Sequence, residues 1–504
     1  MNNPAKEERR VVELAKQRSS VPPTIQDATG PFTRQLAAQV VALQPCDIPD
    51  TVKHRAEQCV LDFLGVALGA SHHPVVDKLL SVARATGSAP RATLIGRPEC
   101  ADCLWAALIN GSMAHVLDFD DTHFPTILHG YTPVLAALFA AIDDPTVFPG
   151  AGERDTGHSE VSGEEFLTAF VAGYETASRV ALCLHPGHYN RGWHLTGTAG
   201  VFGASAACGK LFHLNEDQMT SALGLAAAQA SGLRVMFGTM TKPFHAGKAA
   251  QNGLLAALLA REGFTSAPES LEGRRGFCHV FCDEPALWRL TEDWGIKWEL
   301  LASGFKPYPC GVVTHPAIDG VLALRREHRL EPTSVKSIHA RCHPLVLELT
   351  GNANPVSGLE GKFSVYHCLA VALVDGTVAM QSFTDGRVLD PLITDVRARV
   401  HVTPDSRLDQ DQAEVSIELY DGHVVRHLVQ HASGTPEQPL TDAQLQRKFS
   451  ALLAWRPQSG PLALDQSTVD RIREWALGIR GLRDVRALLH LTRPNQSQCG
   501  EAAT

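Results

Sequence analysis

The 504-residue chain has no stretch long and apolar enough to cross a bilayer, so a membrane-spanning role is not expected. No Gly-x-Gly-x-x-Gly follows a strand pattern and no phosphate loop is present, which sets aside the common nucleotide folds. No basic stretch offsets the net charge of −9, which argues against a nucleic-acid surface while leaving room for a local basic pocket that takes a small anion. The twelve cysteines lack zinc-site spacing. Their close pairs, Cys100/Cys103 and Cys278/Cys282, have no second pair nearby, and incidental thiols in a reducing compartment are the simpler reading. The first thirty residues lack the apolar core of a secretion signal, and the acidic pair Glu7-Glu8 speaks against a transit peptide. A cytoplasmic location is the resulting expectation.

What is present is helical texture on a chain too long for one core, which points to two domains. Asp47 is a candidate N-cap, with Pro49 in the first helical turn, ahead of one-face spacing at Val52, Ala56, Cys59, Val60, Phe63, Leu64 and Ala67. Ser162-Gly-Glu-Glu165, Asn215 to Gln218 and Thr441-Asp-Ala-Gln444 have capping logic ahead of further helices. Thr196–Gly209 and Ser221–Gly232 are rich in Gly, Ala, Ser and Thr, which suits helices packed inside a bundle. After about residue 295 the pattern changes. Val335–Leu349 suits a strand, Lys362–Val374 a helix, and Ala413–Tyr420, Asp421-Gly422 and His423–Val429 a hairpin. The expected fold is mainly α with an α+β insert: a tail at 1–30, a helical domain at 31–294, an α+β lid domain at 295–430, and a return to the helical domain at 431–495. No internal repeat is visible.

Four segments concentrate reactive side chains. Asn110–His129 holds His115, Asp118, Asp120, Asp121, His123 and His129. It reads as an acid/base site, as a divalent-metal site, or as a solvated helix end capped by Asp120 and Asp121. His188–Thr196 places His194 just before a small-residue helix start, where the positive dipole end favours a carboxylate. Lys242, His245 and Lys248 share one helix face, either binding a carboxylate or forming a plain surface stripe. Phe305-Lys-Pro-Tyr-Pro-Cys310 is a stiff loop that can hold Lys306; a Cys310/His315 nucleophile pair there has no third orienting group in the sequence.

Taken together, Asn110-Gly111, His115 with Asp118-Phe-Asp-Asp-Thr122, Gly192-Trp-His194, Thr241-Lys-Pro-Phe-His245, Lys306 with Pro309, and Glu360-Gly-Lys-Phe-Ser364 resemble the MmgE/PrpD family over about residues 32–490. That family includes 2-methylcitrate dehydratases, cis-aconitate decarboxylases and iminodisuccinate epimerases. The resemblance implies a homodimer, no cofactor, no metal, and proton movement beside the carboxylates of a small di- or tricarboxylic acid. It also implies an active site with His194 and His129 as acid and base and Asp118 orienting or charging a histidine. Lys242 and Lys306 would hold carboxylates and stabilise enolate-like charge, and Thr122 would donate a hydrogen bond. Asp120 and Asp121 then read as structural.

Two departures from the family pattern stand out. His129 is followed by Gly130-Tyr131 rather than by proline and a small residue, and Cys342–Val346 lacks the lid tyrosine that the family's decarboxylases carry. The wording of His188–His194 and Phe237–Pro243 is closer to the epimerase branch. The leading expectation is a dehydratase-type lyase; an epimerase, a decarboxylase and a non-catalytic scaffold follow in that order.

Overall fold

The computed structural model describes residues 30–148, 160–455 and 464–494. The expected tail at 1–30 lies, except for its last residue, outside the described residues. The architecture is mainly α, with short two-stranded ribbons and one four-stranded sheet. The helical part is built on four helices packed in a row, Cys103–Val116 on Thr241–Arg261, Thr241–Arg261 on Leu195–Leu211, and Leu195–Leu211 on Gly163–Leu184. Leu195–Leu211 is almost wholly buried, so its small side chains let neighbours close in from every side. Close approach is sharpest where Cys103–Val116 crosses Thr241–Arg261. A Cβ on Gly111 would lie 2.8 Å from the Gly247 Cα, and one on Gly247 would lie 2.1 Å from the Leu108 carbonyl oxygen. This glycine crossing draws the C-terminal end of one helix and the N-terminal end of the other into one place.

From Phe32 onward the chain forms one compact unit. Its buried apolar side chains nevertheless gather in two clusters. One runs from Phe32 to Phe305 and takes in the C-terminal helices through Phe449, Ile472 and Leu488. The other runs from Cys310 to Ile417. Strands β1 (Ala92–Thr93) and β2 (Cys100–Ala101) pair in the helical part, as do β3 (Asp121–His123) and β4 (Ser303–Phe305). The second cluster lies under a sheet of order β6-β5-β7-β8, made of β5 (Val335–Cys342), β6 (Val400–Pro404), β7 (Ala413–Leu419) and β8 (Val424–Val429). The β7–β8 hairpin forms where the sequence indicates, with Tyr420 joining Asp421-Gly422 in the turn, whereas β6, which runs parallel to β5, carried no clear sequence signal.

Two local expectations are corrected. Asp47 does not cap the helix Asp50–Ala70. It closes a preceding 3-10 turn, its carboxylate accepting from the Gln44 N–H at 2.8 Å, and Pro49 is the N-cap. The strand expected over Val335–Leu349 stops at Cys342, because His343-Pro344 turns the chain into a short helix, Leu345–Thr350. The caps at Ser162, Asn215 and Thr441 form as the sequence indicates.

Candidate active site

The site is assembled where Cys103–Val116 ends. Asp118 follows in the left-handed region, with φ of 51°, so the helix stops and three successive carbonyls turn outward. Each accepts a hydrogen bond from a different buried lysine. Lys362 donates to Leu117 at 2.7 Å, Lys306 to Asp118 at 3.2 Å, and Lys448 to Phe119 at 2.6 Å. The negative end of the helix dipole favours this gathering of cations. The Asp118 carboxylate also pairs with Lys242 and lies 3.1 Å from the Lys306 ammonium. Burial pushes the Asp118 carboxyl up, but the two lysines outweigh it and hold the group well below the usual carboxylate range. Burial also lowers Lys242, against the pull of Asp118, and takes Lys362 down to about 8.

Placement of the lysines follows from local structure. Lys306 comes directly after β4, whose Phe305 pairs with Asp121 in β3, so the register of this ribbon sets Lys306 beside Asp118. Lys242 occupies the first turn of Thr241–Arg261, with Phe237 and Phe363 rings 5.2 and 4.8 Å from its ammonium. Lys448 also pairs with Asp62 at 2.7 Å, and the Tyr131 hydroxyl donates to the same carboxylate at 2.9 Å.

Opposite the lysines lie four histidines. The Nδ1–H of His129 donates to the Asp121 carbonyl at 2.6 Å. A carbonyl can only accept, so the proton sits on Nδ1 and Nε2 keeps its lone pair. The backbone N–H of His129 donates to the Thr196 hydroxyl at 3.1 Å. Asp120 supports two rings: its carboxylate is 2.6 Å from His115 Nδ1 and 3.4 Å from His129 Nδ1, and it accepts from the Thr132 hydroxyl at 2.8 Å. His115 Nε2 is buried with no hydrogen-bond partner among the described residues. His194 Nδ1 and His245 Nδ1 are 3.1 Å apart, and the His194 ring lies 5.9 Å from that of His115. Burial pushes His129 down to about 3, His245 to about 4 and His194 well below its ordinary value. These three rings are neutral bases at neutral pH.

Five of the six predicted residues, Asp118, His129, His194, Lys242 and Lys306, line one cavity together with Tyr189, Phe237, Phe363 and Leu349. The sixth, Thr122, is on β3; its hydroxyl is buried, has no hydrogen-bond partner among the described residues, and is not part of that lining. Asp120 is more than a helix-end cap, because it sits between two of the histidines. Asp121 is the structural acid. Its carboxylate accepts from the Gly130 N–H at 3.2 Å and the Tyr174 hydroxyl at 2.9 Å. The Gly130 departure has a steric cause, since a Cβ there would lie 2.5 Å from the Tyr174 ring.

Sequence reasoning named His115 and His245 without giving them a role at the site, and it did not place Lys362, Lys448 and Tyr189 in this neighbourhood. The helical spacing of His115 from Asp118 and of His245 from Lys242 was the available signal. Lys248 pairs with Gln251, His123 with Glu299, and His188 with Thr198, all outside the cavity lining. Cys310 bonds the Thr314 hydroxyl, and His315 Nε2 lies 3.3 Å from the Cys310 carbonyl.

Two groups here have ligand chemistry for a metal, His115/His129/His194 and Asp118/Asp120/His129, their ligand atoms within 4.8 Å of one another. A cation at this place would also face the ammoniums of Lys242 and Lys306. Neutral imidazoles opposite paired lysines suit proton transfer beside a carboxylate better than metal binding.

Comparison with known proteins gives two matching family models: the MmgE/PrpD N-terminal domain over residues 34–288 and the MmgE/PrpD C-terminal domain over residues 308–470. Cis-aconitate decarboxylase of Aspergillus terreus is 27% identical over 469 residues, covering 88% of this chain and 92% of that protein. The human cis-aconitate decarboxylase is 26% identical over 442 residues, covering 84% and 89%. A 2-methylcitrate dehydratase of Cupriavidus necator is 23% identical over 460 residues, covering 86% and 92%.

Proposed function

We propose, for a chain that belongs to the MmgE/PrpD family, a cofactor-independent lyase that moves a proton beside a carboxylate of a small di- or tricarboxylic acid. The observation that carries this reading is the facing of two neutral histidines, His129 and His194, by two buried lysines, Lys242 and Lys306, in one cavity. The lysines would hold a substrate carboxylate and stabilise the negative charge spreading into it as the neighbouring carbon loses a proton.

Dehydration is the first form of the reaction. One histidine takes the α-proton, and the C–H electron pair becomes the new C=C bond. The β C–O bond breaks, and the departing hydroxide takes a proton from the facing Lys242 or Lys306 ammonium and leaves as water; the imidazolium then returns its proton to that amine. This step uses both an acid and a base, and the site has a neutral histidine for the base and an ammonium for the acid. Asp120 keeps the proton of His115 on Nδ1 by accepting from it, and the Asp121 carbonyl does the same for His129.

Decarboxylation is the second form, favoured by the apolar wall of Ile127, Val312, Val313 and Leu349 and by the decarboxylases among the relatives. A carboxylate moved against that wall loses solvation. The C–CO₂ electron pair stays on carbon and is quenched by a proton from the Lys242 or Lys306 ammonium, which solvent water then restores. An epimerase would use the same bases to take a proton from one face and return it to the other. The expected homodimer belongs to this proposal, and sedimentation at micromolar concentration tests it.

The distinguishing experiment incubates the purified protein in deuterated water with citrates, aconitates and iminodisuccinate, followed by NMR. An olefinic product from a hydroxy acid supports dehydration, and loss of CO₂ supports decarboxylation. Deuterium uptake without net loss supports epimerisation. A well-folded protein that turns over none of them overturns the lyase reading.

A further inference from the structure

The cavity between the histidines and lysines measures ≈ 30 Å³, about the volume of one water molecule. A polycarboxylate therefore enters only if the rim gives way, and one charged pair spans that rim. Arg234 opens the 3-10 turn Arg234–Met236, three residues before Phe237 of the cavity wall. Its backbone N–H donates to the Gly192 carbonyl at 2.8 Å, its Nη1 to the Tyr189 carbonyl at 2.8 Å, and its guanidinium stacks 3.9 Å over the Tyr189 ring. Tyr189 itself lines the cavity. Arg234 Nη2 donates to Glu348 at 2.7 Å across the mouth, and Glu348 is followed by two cavity-lining residues, Leu349 and Thr350.

The two partners differ in how firmly they are held. Arg234 has only 12% of its side chain exposed and is fixed by the tyrosine below it, while Glu348 is 56% exposed on a six-residue helix. An ion pair with so exposed a partner contributes little and exchanges readily. Glu348 also uses the guanidinium incompletely. Nε and Nη2 lie along the same edge and suit the two oxygens of one carboxylate, yet Nε is buried with no hydrogen-bond partner among the described residues. Glu348 thus fills one arm of a two-armed fork.

We propose that Arg234 is a specificity-determining residue: it takes the substrate carboxylate farthest from Lys242 and Lys306 in a two-point grip, displacing Glu348. The inference rests on the polycarboxylate reading above. It gives the site a third cationic contact, set apart from the lysine pair by the Tyr189 ring. Substrates with a carboxylate at that distance gain the contact, and shorter acids do not.

The test uses unreactive ligands, so its outcome is independent of which reaction the enzyme catalyses. Calorimetric affinities of tricarballylate and of succinate, which lacks one terminal carboxymethyl group, are compared for the wild type and for Arg234→Gln, Arg234→Lys and Glu348→Gln. Arg234→Gln is expected to weaken tricarballylate about tenfold or more while changing succinate less than about twofold. Arg234→Lys keeps the charge but not the fork and should fall between, and Glu348→Gln should tighten tricarballylate. Equal weakening of both ligands, no weakening of tricarballylate, or no binding of either ligand to the wild type overturns the proposal. If Arg234→Gln does not fold, the Arg234→Lys and Glu348→Gln affinities decide alone. Failure of the lyase reading would instead appear as absent turnover with this binding pattern intact.

Discussion

The two walls of the cavity meet burial in opposite ways. On the histidine wall, burial removes charge, and His129, His194 and His245 become neutral bases that need no counter-ion. On the lysine wall charge is kept, so every ammonium must be partnered: Lys242 and Lys306 by Asp118, Lys362 by the Leu117 and Pro309 carbonyls, Lys448 by Asp62 and Phe119. A neutral base is ready to react as it stands. A buried cation is available to substrate only by exchange, one anion for another. Reactivity and recognition are thereby separated onto opposite walls, and changes on the two should fail differently.

The largest effect is expected at Asp118. Asp118→Asn leaves two buried ammoniums facing each other without their carboxylate, which should cost about 3–5 kcal/mol of stability in denaturant unfolding. A loss below about 1 kcal/mol would mean that the lysines find other partners, and the contrast between walls would fail. His194→Gln should reverse the pattern, lowering kcat about a thousandfold on whichever substrate the wild type accepts, with the unfolding midpoint nearly unchanged. Surviving turnover would remove His194 from the acid/base pair.

The pH dependence of stability tests the neutral wall directly. With His129 folded at about 3 and unfolded near 6.5, only the unfolded chain gains that proton as pH drops below about 6.5. Stability should therefore fall with pH between about 6.5 and 4.5. The carboxyl of Glu175, pushed by burial up to about 7, binds its proton in the folded state and offsets part of this fall. Replacing His129 with Asn should flatten the slope by about 1 kcal/mol per pH unit, measured by urea titrations across that range. An unchanged slope would place the titrating histidines elsewhere.

The smallest effect is expected at Thr122, whose buried hydroxyl has no partner among the described residues. Thr122→Val should leave stability unchanged or raise it by up to about 1 kcal/mol. A rise in KM alongside unchanged stability would show that substrate supplies the missing partner.

Much of the site was legible in the sequence because its residues sit at punctuation. Asp118 ends a helix, His194 precedes one, Lys242 begins one before a proline, and Lys306 stands between a strand and two prolines. Such positions carry local signals. His115 and His245 lie inside regular helices, where a lone histidine looks like any packed side chain, and only the glycine crossing at Gly111 and Gly247 turns both toward His194. Lys448 was less legible still, since a lysine on an amphipathic C-terminal helix reads as surface. The β6 strand was hidden for a similar reason: its parallel partner β5 lies nearly sixty residues away, beyond any turn signal. The place of Asp120 between two rings was not legible, because a carboxylate next to another carboxylate looks like a cap until the third dimension places a ring on each side of it.

The three carbonyls at residues 117–119 also set an order on synthesis. The helix that presents them leaves the ribosome early, but the lysine that bonds Phe119 arrives 329 residues later. Until Lys448 emerges, Asp62 and the Phe119 carbonyl lack their cation and the site is incomplete. A prematurely ended chain would therefore contain every residue that lines the cavity and still expose its unfinished polar seam to proteases and chaperones. The helix Asp442–Ala454 acts as a seal of completeness on a site encoded almost entirely ahead of it.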